Sequence, residues 1–163
     1  MDKKSTVERP NLTREQMIDF LNDDLAREYQ AVIAYTVYSQ VLKGAEYTNF
    51  ARELEKHAGE ELAHAIKIAK QVDYFGGMPV VMPKPVKTSE DPKEMLRADL
   101  ENERETIKQY RQRIRQAEEL EEFALSEVLR GIIVQEQDHE MDLCDALGID
   151  VPIPKKWKQL NQI

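Results

Sequence analysis

Two short stretches carry the residues best suited to chemistry. Glu61-Leu62-Ala63-His64 and Glu136-Gln137-Asp138-His139 share one spacing and lie seventy-five positions apart. On a helix, residues three apart stack on one face, so each Glu and its His aim at a common point. Glu-x-x-His arises by chance in any Glu-rich chain, and neither pair decides the matter alone. Two more carboxylates join them. Glu28 lies three after Leu25 and four before Val32, filling a gap in an apolar stripe. Glu103 stands between Leu100 and Ile107, again where an apolar residue is expected. Four inward carboxylates repel one another unless protons or cations neutralise them. The charge on two divalent metals balances four carboxylates. Bridging carboxylates, one imidazole per metal and open coordination positions suit iron or manganese.

Four helices must position these six residues. The first starts at Thr13, which has capping-box spacing to Gln16, and ends near Gly44. Its stripe is Met17, Leu21, Leu25, Glu28, Val32, Tyr35, Tyr38 and Leu42. The second runs from about Tyr47 to Gly76-Gly77, with the stripe Phe50, Leu54, His57, Glu61, His64, Ile68, Val72 and Phe75. Residues 77 to 90 hold Pro79, Pro83 and Pro85 and are expected to be non-helical. Extended, such a segment reaches roughly 46 Å, enough to span a helix of about 42 Å. It can therefore bring the third helix in parallel to the second.

Asp91-Pro92-Lys93-Glu94 is a helix start: a capping Asp, Pro at the first helical position, Glu at the third. The third stripe is Leu96, Leu100, Glu103, Ile107, Tyr110, Ile114 and Ala117. A tight turn falls between Ala117 and Glu122, without a Gly or Pro to mark it. The fourth stripe is Leu125, Val128, Leu129, Ile132, Glu136, His139, Leu143 and Ala146, with Gly148 as its stop. All four Glu residues lie near mid-helix, so they meet in one layer whichever way each helix points.

Composition agrees. At 163 residues the chain reads as one domain, residues 1–163, with 1–12 and 149–163 as peripheral tails and a possible short C-terminal helix. Charged residues make up 33 % and the net charge is −8, which argues against nucleic acid as a main partner and suits attraction of cations. The single Cys144 makes neither an intrachain disulfide nor a Cys-rich metal site. No apolar run approaches the roughly 20 residues of a membrane span, and residues 1–9 lack a signal-peptide core, so a cytoplasmic location is expected.

With these residues in place, the chain resembles the ferritin superfamily, and bacterioferritins in particular, over roughly Ile18 to Gly148. Leu25-Ala26-Arg27-Glu28-Tyr29-Gln30-Ala31, Glu94 to Leu100 and both Glu-x-x-His motifs carry the resemblance. It implies an all-α, ferritin-like four-helix bundle with a long crossover between the second and third helices. By the same resemblance Glu28 and Glu103 are terminal ligands, Glu61 and Glu136 bridge, and His64 and His139 each cap one of two iron ions per subunit, with manganese as the alternative metal. The implied activity is a ferroxidase: oxidation of Fe(II) by O2 or H2O2, with ferric mineral stored in a homo-oligomeric cage of 24 or 12 subunits. Bacterioferritins carry a haem-ligating Met directly after the helix-two Glu. Here that residue is Leu62, which cannot ligate iron, so haem is not expected there.

Two other functions fit the same bundle: a di-iron or di-manganese peroxide reductase or catalase, and a DNA-protecting mini-ferritin. A rubrerythrin is excluded because one Cys cannot supply four thiolates. Tyr35, seven after Glu28, resembles the tyrosine beside the bacterioferritin di-iron centre. It is either a redox residue or a core Tyr with a satisfied hydroxyl, and Tyr110, seven after Glu103, offers the same choice. His57 is expected to be structural, with a supporting or iron-entry role as the alternative. Close helix approach would explain Gly59 and Gly131. The lysines around Trp157 suit a tail packed on a neighbouring subunit.

Overall fold

The computed structural model describes residues 12–152. The expected C-terminal helix, the basic patch around Trp157 and most of the N-terminal tail lie outside the described residues. Among those described, four long helices occur: α1 (Arg14–Val41), α2 (Thr48–Tyr74), α3 (Pro92–Glu119) and α4 (Phe123–Leu147). None is long and apolar enough to cross a membrane.

The helix ends follow their local chemistry. The Thr13 side chain accepts from Gln16 N, and the Gln16 side chain accepts from Thr13 N, closing a reciprocal capping box. Asp91 accepts from Lys93 N with Pro92 in the first turn. Gly148 adopts the left-handed conformation that ends α4, and Ile149 N donates to Cys144 O. The unmarked turn between α3 and α4 has a physical explanation. Glu121 takes a left-handed φ of 59°, a conformation usually left to Gly. No sequence signal announces it, because Glu is not a residue that usually takes this conformation.

The crossover explains the topology. Asn22 reaches Met78 O and Val80 N, Lys84 N donates to Ala26 O, the Gln30 side chain donates to Pro85 O, and the Tyr38 hydroxyl donates to Lys87 O. As the crossover advances from 78 to 87, its partners advance along α1 from 22 to 38. The segment therefore travels back along α1 and delivers α3 parallel to α2, as its length allows. Gly77 is where close approach demands glycine: a Cβ there would meet the Ile18 side chain at 2.4 Å. At Gly59 and Gly131 an added Cβ would meet nothing within 4 Å, so close helix approach within the chain does not explain them.

The core is divided in two. One apolar cluster gathers Met17, Leu21, Leu25, Ile68, Val72 and Leu129 with their neighbours; the other gathers Tyr38, Leu42, Leu54, Leu96, Leu100 and Leu143. The polar layer lies between them. The α1 stripe is one residue off at its centre: Val32 is only half-buried while Ala34 is buried. Val32 instead lines an open groove with Tyr29, Ile33, Leu62, Val81 and Pro83.

Candidate metal centre

All six residues are buried. Glu28, Glu61, His64, Glu103, Glu136 and His139 are each no more than 2 % exposed. Their ligand atoms form two overlapping groups, each with every atom within 4.8 Å of the others: Glu28, Glu61, His64 and Glu136 in one; Glu61, Glu103, Glu136 and His139 in the other. Glu61 and Glu136 belong to both. Each group thus has one private carboxylate, one imidazole and two shared carboxylates.

The orientation of the imidazoles bears on what fits between them. His139 Nε2 lies 3.0 Å from Glu60 Oε2, and His64 Nε2 lies 3.0 Å from Gln135 Oε1. Both partners are acceptors, so each Nε2 donates outward, and each Nδ1 is left to face the interior, where it can hold a proton in the metal-free chain or give it up to ligate. There His64 Nδ1 stands 3.0 Å from Glu136 Oε1, and His139 Nδ1 stands 2.8 Å from Glu61 Oε1. Lone pairs and carboxylate oxygens at such distances repel unless a proton or a cation lies between them. Glu28 Oε2, Glu61 Oε1, Glu103 Oε2, Glu136 Oε1 and His139 Nδ1 have no partner in hydrogen-bond geometry. Buried, unpartnered donor atoms of these types in two groups that share carboxylates fit a pair of divalent metals.

The private carboxylates are held by tyrosines. The Tyr110 hydroxyl donates to Glu28 Oε1, and the Tyr35 hydroxyl donates to Glu103 Oε1. Both tyrosines are fully buried, and both hydroxyls are satisfied by the site. Tyr35 also meets the rings of His57 at 5.3 Å and His139 at 5.9 Å, edge to face.

These pairs reveal a pseudo-twofold arrangement deeper than the two motifs. The same seventy-five-residue offset relates Glu28 to Glu103, Tyr35 to Tyr110, Glu60 to Gln135, Glu61 to Glu136 and His64 to His139. It also relates two buried acids that a search for apolar stripes passes over. Asp24 is paired with Arg113, whose Nε lies 2.7 Å from Asp24 Oδ2. Asp99 is 1 % exposed, and its Oδ2 has no partner. A comparison of the two halves at that offset would have found Asp24, Asp99, Glu60 and Gln135. A narrow cleft lined by Arg27, Asn102 and Thr106 near the surface and by Glu28, Asp99 and Glu103 inside gives a polar approach to the layer.

Electrostatics in the metal-free chain follow from burial. Burial and the Glu61 charge push Glu28 up to about 8; burial with Glu61 and Glu28 pushes Glu136 up to about 8. Burial and the neighbouring Glu136 and Glu61 charges hold Glu103 well above the usual carboxylate range. Burial pushes Glu61 the same way, but the adjacent His139 and His64 outweigh it and hold this carboxyl low. Burial opposes charge on His139, yet Glu61 and Glu103 raise it to about 9.

The sign of the resulting pH dependence is definite. Glu28 and Glu136 bind protons in the folded chain, between about 4.5 and about 8, that the unfolded chain releases. His139 contributes stability below about 6.5 that is lost as pH rises through about 9. Both effects lower stability with rising pH. The melting temperature of the metal-free protein should fall from about pH 6 to about pH 9, and saturating Mn(II), which displaces these protons, should flatten the slope. A metal-free melting profile that is level across this range would contradict the layer described.

Leu62, at the position of the bacterioferritin haem-ligating Met, lies 50 % exposed on the outer face of α2, beside Tyr29, Val32 and Ile33. Met17 and Met95 are core residues, while Met78, Met82 and Met141 are exposed.

Known proteins share this fold. The family model "Ferritin-like domain" matches residues 18–149. A bacterioferritin of Brucella melitensis is 26 % identical over 153 residues, covering 90 % of this chain and 92 % of the relative. A ferritin-like di-iron-carboxylate protein of Bacillus anthracis is 34 % identical with a TM-score of 0.79, over 82 % of this chain and 96 % of that one. A dodecameric thioferritin, the bacterioferritin-related protein of Bacteroides fragilis, is 28 % identical with a TM-score of 0.77, over 93 % and 94 %. The family match spans most of the chain, including the whole polar layer, and the chain belongs to the ferritin superfamily as a bacterioferritin-like, four-helix member.

Proposed function

We propose that the chain is a ferroxidase that stores or detoxifies iron, with one centre in each ferritin-like domain. Glu28 and His64 hold one metal, Glu103 and His139 the other, and Glu61 and Glu136 bridge them. The observation that carries this reading is the pair of overlapping donor groups with Glu61 and Glu136 in common. Two-metal sites of this kind hold their ions about 3.5–4 Å apart, close enough for a single oxidant to take one electron from each.

The reaction balances with Fe(II) as substrate. Two Fe(II) give two electrons to one O2, which takes up two protons and leaves as H2O2 beside two Fe(III). With H2O2 as oxidant, two protons are taken up and two waters form. The protein's part is to hold the ions, exclude bulk water between two apolar clusters, and keep the imidazoles turned inward through Glu60 and Gln135. Tyr35 and Tyr110 fix the terminal carboxylates, and Tyr35 is placed to pass an electron as well.

A cage is supported by the bacterioferritin relatives and by the Bacteroides fragilis dodecamer. We place the protein in the cytoplasm, with Fe(II), O2 or H2O2 and further copies of itself as partners. Aerobic Fe(II) addition to the metal-free protein should consume about two Fe(II) per chain in a fast phase, followed by slower accumulation. Rapid peroxide dismutation with bound manganese and no iron accumulation would replace this reading with a catalase.

A further inference from the structure

His57 breaks the pseudo-twofold pattern. Its counterpart seventy-five residues on is Ile132, an apolar core residue. The bundle can therefore close that position without a polar group. His57 is 1 % exposed, yet its Nε2 points to the α2–α4 boundary, 3.1 Å from Asp142 Oδ2 and 3.8 Å from Glu53 Oε1. The donor atoms of Glu53, His57 and Asp142 all lie within 4.8 Å of one another. His57 Nδ1 is buried with no hydrogen-bond partner.

We propose that Glu53, His57 and Asp142 form a third cation site that takes a divalent transition metal, Fe(II) in the cell, at the edge of the bundle beside the central pair. An imidazole between two carboxylates is a donor set that such ions favour and that Mg(II) does not. The set differs in architecture from the central layer, which lies wholly inside.

Access and charge support the assignment. The Glu53 and Asp142 side chains are 38 % and 39 % exposed, and both line an open groove with Glu46 and Asp145. Burial raises the Asp142 carboxyl, and the adjacent Glu53 charge raises it further, so a cation between the two relieves their repulsion. The site is also next to the centre. The His57 ring lies 4.1 Å from the His139 ring, and donor atoms of His57, Glu60 and His139 form a further group within 4.8 Å. Lys56 is the competitor: its Nζ lies 2.7 Å from Glu53 Oε1 and 3.9 Å from Glu60 Oε1, on a largely exposed side chain that can swing away.

The test is an anaerobic Co(II) titration of the full-length protein, read by visible absorption and by equilibrium metal content. Wild type should bind three Co(II) per chain. Asp142→Asn and His57→Leu should each weaken the third equivalent by about tenfold or more and leave two. Lys56→Met should tighten it severalfold, a gain that a purely structural His57–Asp142 pair would not produce. Glu61→Ala should lose central cobalt and keep the outer ion. If Asp142→Asn removes one equivalent while Glu61→Ala removes none, the outer site stands and the central assignment fails. Two equivalents in wild type, or a third unaffected by Asp142→Asn and Lys56→Met, would overturn the proposal.

Discussion

Replacement of Glu61 by Ala should eliminate the fast phase of Fe(II) oxidation. Glu61 belongs to both donor groups and lies 2.8 Å from His139 Nδ1 and 3.3 Å from His64 Nδ1. Among the described residues, the one other carboxylate that faces both imidazoles is Glu136, its pseudo-symmetric mate. Loss of groups that merely orient a ligand costs roughly 10–100-fold in metal affinity or activity, and loss of a bridge should cost at least the upper end of that range. The fold should survive. In the metal-free chain removal of Glu61 relieves the repulsion that raises Glu28, Glu103 and Glu136, but it also takes from His139 and His64 the carboxylate that they hold ionised. The variant should therefore melt below metal-free wild type and lose the rise that Mn(II) gives the wild type. Stopped-flow absorbance and calorimetry read both effects. Oxidation as fast as wild type would show that the site has been misassigned.

Arg113→Ala should have the largest effect on stability, through a residue that has no part in the ligand set. Arg113 is 3 % exposed and grips Asp24, itself 1 % exposed, through Nε at 2.7 Å and Nη2 at 3.2 Å. The guanidinium also stacks over the Phe20 ring at 4.4 Å. Burial already pushes the Asp24 carboxyl above its usual range, against the pull of Arg113. Without Arg113 the acid is buried unpaired, which costs about 3–5 kcal/mol, a large part of the stability of an ordinary domain. Replacing both partners, as Asp24→Leu with Arg113→Met, should recover most of the loss, because an apolar pair of similar volume needs no compensation. Urea denaturation of the metal-free proteins would measure the cycle. A single-variant loss under about 1 kcal/mol would show that water reaches Asp24.

Much of this molecule is legible from residue type and spacing, and the reasons are local. Thr13 with Gln16 and Asp91 with Pro92 start helices because the first backbone N–H groups need acceptors. Glu28, Glu61, Glu103 and Glu136 were visible because each interrupts an apolar stripe at mid-helix. The crossover was legible as length and composition, but its path was not. That path depends on contacts from Asn22 to Tyr38, and Val32, which periodicity alone would bury, is half-buried. The turn at Glu121 was illegible because a non-glycine residue adopts the left-handed conformation. Asp24, Asp99 and Arg113 were missed for another reason. A stripe read from apolar residues assigns charged side chains to solvent, and these three are buried beside the stripe. For Asp24 and Arg113 burial is offset by pairing across α1 and α3. Tyr35 and Tyr110 were open between redox and core roles; both are buried, and their hydroxyls donate to the Glu103 and Glu28 carboxylates.

Six side chains of one chain are proposed to hold two metals in one layer of one bundle. Anomalous diffraction at the iron edge, from crystals soaked anaerobically in Fe(II), tests this most directly. Two peaks are expected inside the bundle of each chain, roughly 3.5–4 Å apart, with Glu61 and Glu136 reaching both, His64 at one and His139 at the other, apart from any third peak at Glu53, His57 and Asp142. A single peak in the bundle, or strong peaks only at contacts between chains, would contradict it.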